Sequence, residues 1–286
     1  MKNIYPTNSD TNIDSSTKEW IPKTFDGFLS ELNHIISSCR TKKSLVLFRG
    51  QRKREWLLDS TFVRSCKAAL FGLSPEVRLS SMITGSMELH RVFLNLLLLK
   101  YGVLMRPTAE LEALSTNEGI DAWFELMKRH QQYQNEDPSL LKGSNLLDWT
   151  QSPEVALYFA NYKRSGDGAV YICDATGTGK TQPNISVGKI LDLMNKVGNA
   201  GKTLGSPLLF CPQKQILCER ARNQQAIYFA QMDMRTDLET HWRLCEKDLG
   251  DVTILIKLIL PSGSEKAVTE YLSYRGITDA FIYPGV

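Results

Sequence analysis

Several signatures that would settle a protein's class at once are missing from this chain. The most apolar run, Phe93 to Leu99, lies between Arg91 and Lys100 and falls short of the roughly 18–20 apolar residues of a membrane span, so a buried helix is expected there. The start is rich in Asn, Asp, Ser and Thr. It lacks the basic segment, apolar run and small-residue cleavage site of a secretory signal, so a cytoplasmic protein with no membrane partner is expected. Six cysteines are scattered without a CxxC pair, which argues against a disulfide scaffold or a zinc site and for reduced thiols; no metal is expected. The GxSxG elbow, HExxH and GxGxxG are all absent. ATGTGKT at 175–181 has Asp174 where a Walker A loop needs its first glycine, so a surface turn is expected rather than an NTPase loop. No period of 20–50 residues repeats.

What is present is an ordinary globular composition: 286 residues, 42% hydrophobic, net charge +3. Such a chain has a substantial core, and its small net charge advertises neither nucleic acid nor anionic lipid. Residues 1–20 have no hydrophobic period and read as a mobile or draped polar tail before one domain at 21–286. Phe25, Phe28, Leu29, Leu32, Ile35 and Ile36 recur at helical spacing after a Thr24 cap. Ser44–Phe48 reads as a short buried strand, and 86–101 as a core helix. A capping box at Ser115 and Glu118 predicts a helix with Trp123 and Phe124 on one face, and 131–143 is a polar loop. Pro153 suits the first turn of another helix. GAVYIC predicts a strand, Val187–Val197 a helix, and Leu208–Phe210, Ala226–Phe229 and VTILIKLIL further sheet. A helix around Val268 and Leu272 and a last strand, AFIY, follow. Helices early and strands late predict an α+β fold rather than a doubly wound sheet.

Two segments carry chemistry. Between Arg40 and Lys67 nine basic residues face two acids, a local +7 that leaves −4 elsewhere. Such a run serves as a solvated face or as a nucleic-acid contact. Within it, Arg49 closes an apolar strand and precedes Gly50, so its guanidinium should emerge where clefts form. Its planar fork matches phosphate or carboxylate, although pairing with a buried acid such as Asp148 would fit equally. Cys66 lies between Arg64 and Lys67, whose charges would lower a thiol pKa, but no histidine is near it in sequence. The second segment, LLDWTQSPEVALYFA at 146–160, sets Asp148, Trp149, Thr150 and Ser152 at the mouth of a helix. These polar groups either cap the helix or face a ligand, and Trp149 is either a ring platform or a core anchor.

FRGQ at 48–51, WLLDSTFVR at 56–64 and LLDWTQSPEVALYFA together resemble the FRG domain family. RHQQY at 129–133, ARNQQAIYF at 221–229 and the ending KLILP with YLSYRGITDAFIYP are similar to its later elements, so the resemblance runs over about residues 25–286. VLFRG, DWTQSPEVALYFA and ERARNQQAIYF also resemble, in order, the three motifs of ADP-ribosyltransferases of the Arg–Ser–Glu type. That resemblance implies a mixed sheet with a split cleft for NAD as substrate. Arg49 would lie on a phosphate, Thr150 or Ser152 would orient the nicotinamide ribose, and Trp149 or Tyr158 would stand near the ring, with Gln51 beside Arg49. Gln224 and Gln225 stand where that type has a glutamate, so Glu219 or Asp148 would have to supply the negative charge. The acceptor would be a macromolecule or water, and the resemblance implies a toxin or phage-defence setting. The alternative is a non-catalytic module that uses the same cleft for a nucleotide, or the Arg40–Lys67 face for nucleic acid.

Overall fold

The computed structural model describes residues 4–14, 18–40, 45–102, 128–131, 140–175, 208–210, 218–250 and 252–285. In chain order its elements are β1 (Asn12–Asp14), β2 (Glu19–Ile21), α1 (Phe25–Arg40), β3 (Val46–Gln51), α2 (Thr61–Phe71), α3 (Ser81–Thr84), α4 (Met87–Lys100), β4 (Leu146–Thr150), α5 (Pro153–Asn161), β5 (Gly168–Asp174), β6 (Leu208–Phe210), α6 (Glu219–Asn223), β7 (Ala226–Ala230), α7 (Leu238–Leu249), β8 (Leu255–Leu260), α8 (Glu265–Tyr274) and α9 (Asp279–Ile282). The class is α+β, with four helices and three strands before residue 101. The helices expected from Ser115 and from Val187, the ATGTGKT turn beyond Ala175 and most of the 131–143 loop lie outside the described residues.

Apolar residues at two-residue spacing explain the sheet. Along β5, Val170 and Ile172 face one core with α1, α5 and α8, while Tyr171 and Cys173 face another with Trp149, Phe229 and Trp242. A strand buried on both faces reads as an unbroken apolar run, as GAVYIC does. A third core joins α2 and α4 through Phe62, Phe93 and Leu97 to Tyr228 of β7. The strand order is β1-β2-β8-β5-β3-β4-β7-β6, antiparallel throughout except for β2 against β8. Among the described residues no helix is long and apolar enough to cross a membrane.

The sheet is nearly severed in its middle. β3 pairs with β5 over six positions from Val46↔Asp174 to Gln51↔Ala169, and β4 pairs with β7 over five. Between β3 and β4 there is a single pair, Phe48↔Thr150. Beyond Phe48 the two leaves part. Helix α5 closes the seam from one face, its start fixed by Pro153 in the first turn and by Ser152, whose Oγ accepts from Val155 N at 3.2 Å. Small residues let it lie directly on the strands. A Cβ on Gly50 would stand 1.8 Å from the Ala156 carbonyl oxygen, and one on Gly168 would stand 2.9 Å from that of Ala160.

Two expectations fail. Residues 1–20 are not a loose tail where they are described: β1 and β2 form the sheet's edge, and the amides of Thr7 and Asn8 donate to the Glu31 carboxylate at 3.1 and 2.7 Å. Polar composition concealed this because the anchoring is by backbone and by ion pairs. AFIY is a helical turn rather than a strand, because Thr278 caps it through Phe281 N at 3.3 Å. Short apolar runs do not distinguish the two.

The edge is pinned by charge. Glu19 of β2 meets Lys257 Nζ and Arg54 Nη2, each at 2.6 Å. Burial alone would raise the Glu19 carboxyl, but the two cations outweigh it and hold the group below its ordinary 4.5. A carboxyl depressed by folding adds stability above its unfolded pKa and loses it as pH falls through the folded one. Amide exchange at β1 and β2, corrected for intrinsic rates, should therefore accelerate relative to β5 below pH 4.5. Unchanged relative protection would mean that the edge is held without this carboxylate.

Candidate functional site

Where β3 and β4 diverge, the gap opens into a cavity of about 670 Å³. β3 contributes Phe48 to Gln51 and β4 contributes Asp148 to Thr150, with Arg52 and Trp56 beyond β3. Arg64 enters from α2, Lys128 and Gln131 from a helical turn, Arg220 and Gln224 from around α6, and Tyr228 from β7. Val155, Ala156 and Phe159 of α5 form an apolar side. Five cations thus face one carboxylate, Asp148, among the lining residues described. The cleft favours an anion that also has an apolar part.

Arg49 sits within β3, one residue past the last pair with β4, rather than at the strand's end as the sequence implies. It is paired with Tyr171 on its other side. Its Nη1 crosses the gap to donate to the Asp148 backbone carbonyl, while its Nε is buried with no acceptor. No carboxylate forms an ion pair with it within 4.0 Å among the described residues, so the buried acid that could have explained Arg49 is not its partner. Burial pulls the guanidinium down to about 10, with Asp148 opposing and Arg64 adding to the depression. It is still charged at neutral pH. Gln51, two residues on, is buried at the cleft wall. Its Nε2 donates to Leu57 O at 3.3 Å and its Oε1 is unpartnered.

Asp148 is the exposed member of an otherwise buried strand. Its carboxylate accepts from Gln131 Nε2 and from Lys128 Nζ, the latter at 3.5 Å. Lys128 also lies 4.2 Å from the centroid of the Tyr228 ring. Burial would lower this ammonium, but Asp148 and Tyr228 outweigh it and hold it above its ordinary value.

The other expected site residues divide. Thr150 and Gln224 line the cleft, but the Thr150 hydroxyl donates to the Gln224 carbonyl at 2.6 Å and accepts from Ser152 N at 3.0 Å. Gln224 Nε2 is bound to Ile282 O at 3.1 Å. These bonds make Thr150 a tie between the two walls. Ser152 is a helix cap and Gln225 is exposed at φ 43°; neither lines the cavity. Tyr158 points elsewhere, donating to Asp279 Oδ1 at 2.7 Å. The Trp149 ring is a core anchor, 2% exposed and edge-on to Phe229 and Trp242, each at 5.6 Å. The aromatic at the mouth is Trp56, with Arg52 5.1 Å above its ring. Glu219 is exposed and outside the wall.

Among its described residues the +7 segment does not keep all its charge on one face. Arg54 is neutralised by Glu19 and Asp167, and Lys67 is buried on Asp59 at 2.5 Å. Arg49 and Arg64 turn into the cleft, while residues 41–44 lie outside the described ones. Burial pushes the Cys66 thiol up to about 12, opposite to the effect its basic sequence neighbours imply, and its side chain is enclosed in the core with Phe62 and Phe93. Sequence reasoning missed Arg64, Lys128, Trp56 and Arg220 as cleft residues. The first was read only as part of the basic run and as a neighbour of Cys66, and the second immediately precedes RHQQY. No family model matches the chain, and no curated protein or solved structure does.

Proposed function

We propose that this is an FRG-domain, ADP-ribosyltransferase-like protein that takes NAD into the cleft between β3 and β4 and breaks its bond to nicotinamide. The observation that carries the reading is the parted sheet with the Arg49 guanidinium at the parting, in no ion pair with a carboxylate of the described residues. Arg49 would hold a phosphate of the dinucleotide. As the ribosyl C1′–N bond breaks, its electrons leave with neutral nicotinamide, and the ribosyl cation is captured by water or a macromolecular nucleophile that gives up a proton. A cytoplasmic setting would provide the NAD.

Asp148 is the best choice for the negative charge facing that cation, since it is the one carboxylate among the described cleft residues. A fixed charge beside a developing one of opposite sign is commonly the largest contribution to catalysis. Asp148→Asn should lower the rate of nicotinamide release roughly 10²–10³-fold with little change in NAD affinity. An unaltered rate would remove Asp148 from the chemistry. Purified protein incubated with NAD labelled in the adenosine part tests the whole reading by nicotinamide release and label transfer.

A second reading, a nucleotide-binding module without chemistry, is favoured by the uncharged Gln224 and Gln225 where a glutamate would stand. Saturable NAD binding with neither release nor transfer would establish it. A nucleic-acid face on the Arg40–Lys67 segment would have to do without Arg54 and Lys67, which are internally paired.

A further inference from the structure

We propose that the cleft requires a pyrophosphate, two phosphate charges joined through one oxygen, and that Arg64 makes the second charge a requirement. This rests on the nucleotide reading above and names the group by which the ligand is recognised.

Among the described residues the fully buried cations are neutralised by acids. Lys67 has Asp59 at 2.5 Å, Arg235 has Asp233 at 2.9 Å and Lys257 has Glu19 at 2.6 Å. That is the usual condition for taking a cation out of water. Arg49 and Arg64, half-buried in the cleft wall, have no such acid within 4.0 Å among the described residues. Arg64 uses two of its five N–H donors on the Asp59 carbonyl and Thr61 Oγ1, each at 3.0 Å, and makes no ion pair within 4.0 Å among the described residues, although Asp59 and Asp148 act on it from further off. Burial lowers its pKa, and its charge adds to the depression of Arg49. The one lining carboxylate, Asp148, is already shared by Lys128 and Gln131.

Two neighbouring guanidiniums without acids are satisfied by two adjacent anionic groups. A single phosphate charge would leave one fork unmatched, whereas a pyrophosphate offers each guanidinium its own pair of oxygens. Arg49 comes from a strand and Arg64 from a helix, so the spacing between the forks is set by packing and can discriminate.

The test is calorimetric titration of the full chain with ADP, AMP, inorganic pyrophosphate and inorganic phosphate. ADP should bind roughly 10- to 100-fold more tightly than AMP, and pyrophosphate more tightly than phosphate by a similar factor, as expected for one charge-assisted pair. Arg64→Gln should erase most of that advantage while leaving AMP affinity within about threefold of the parent. Arg64→Lys, which keeps the charge and loses the fork, should fall between. Both variants should melt, without ligand, at or above the parent temperature. Equal affinity for ADP and AMP in the parent, equal losses of both in Arg64→Gln, or a lower ligand-free melting temperature in both variants would overturn the proposal. Nicotinamide release is scored separately. Arg64-dependent ADP selectivity without release sinks the transferase reading alone, and release with Arg64-independent affinity sinks this one alone.

Discussion

Gly50→Ala should leave little folded protein. The added methyl would sit 1.8 Å from the Ala156 carbonyl oxygen and 2.6 Å from Ala160 N, and backbone atoms inside a helix cannot swing aside as the tip of a side chain can. α5 would have to lift away from β3, taking Val155, Ala156, Leu157 and Ala160 out of the core they share with Val170 and Ile172. We expect a loss of about 4 kcal/mol or more, in the range reserved for gross steric conflict in a core. Domains of this kind have only about 5–15 kcal/mol in total, so the soluble folded fraction itself should collapse. Gly102→Ala is the matched control. Its position has open space but φ +65°, so the cost is confined to backbone strain of about 1–2 kcal/mol. Chemical denaturation of the two variants side by side decides the matter; equal midpoints would mean that the helix is not seated on Gly50.

Arg49→Ala should give the opposite outcome, a folded protein without function. Nicotinamide release should fall at least roughly 10²–10³-fold, the usual loss when one preorganised charge contact is deleted. Arg49→Lys should recover only a small part, because a point charge does not reproduce the fork. Stability should hold or rise. The guanidinium is bonded to one carbonyl, leaves Nε bare and stands near the like charge of Arg64. Removing a cation so poorly compensated relieves the fold instead of orphaning a partner. A structural anchor would behave differently. A melting temperature several degrees below the parent would show that Arg49 holds the two leaves together through Asp148, and the cleft assignment would lose its main support.

These two residues are adjacent in one motif, yet their tasks differ. Phe48, Arg49 and Gly50 are successive positions of a strand, so Phe48 and Gly50 share one face and Arg49 takes the other. Phe48 packs in the α5 core and Gly50 carries the helix's backbone, while Arg49 turns to the gap.

Much of the frame was legible in residue patterns. Thr24 does cap α1, through Gly27 N at 3.1 Å, Pro153 does begin α5, and the apolar runs of β5, β7 and β8 are strands. Local chemistry suffices there, because capping and period-two burial involve near neighbours. The site was less legible. The hydroxyls of Thr150 and Ser152 and the ring of Trp149 look available in the sequence. Ser152 is taken locally, by Val155 N three residues on, but the occupation of Thr150 by Gln224 O and of Trp149 by the core around Trp242 follows from chain segments dozens of residues away.

By itself the sequence determined most of the described strands and helices, the β1–β2 edge and the AFIY turn excepted, that Arg49 lies at an apolar strand beside a residue with no side chain, and that positive charge gathers around it. Only the tertiary structure decided which of those charges are free. Glu19 and Asp59 silence Arg54 and Lys67, while Arg49 and Arg64 both line the cleft with no carboxylate in ion-pair reach among the described residues. The physical reason is range. Helix caps and strand alternation are settled within a few residues, whereas the parting of β3 from β4, about 100 positions apart in the chain, depends on where packing sets each leaf. The electrostatics of the cleft inherit that non-local decision.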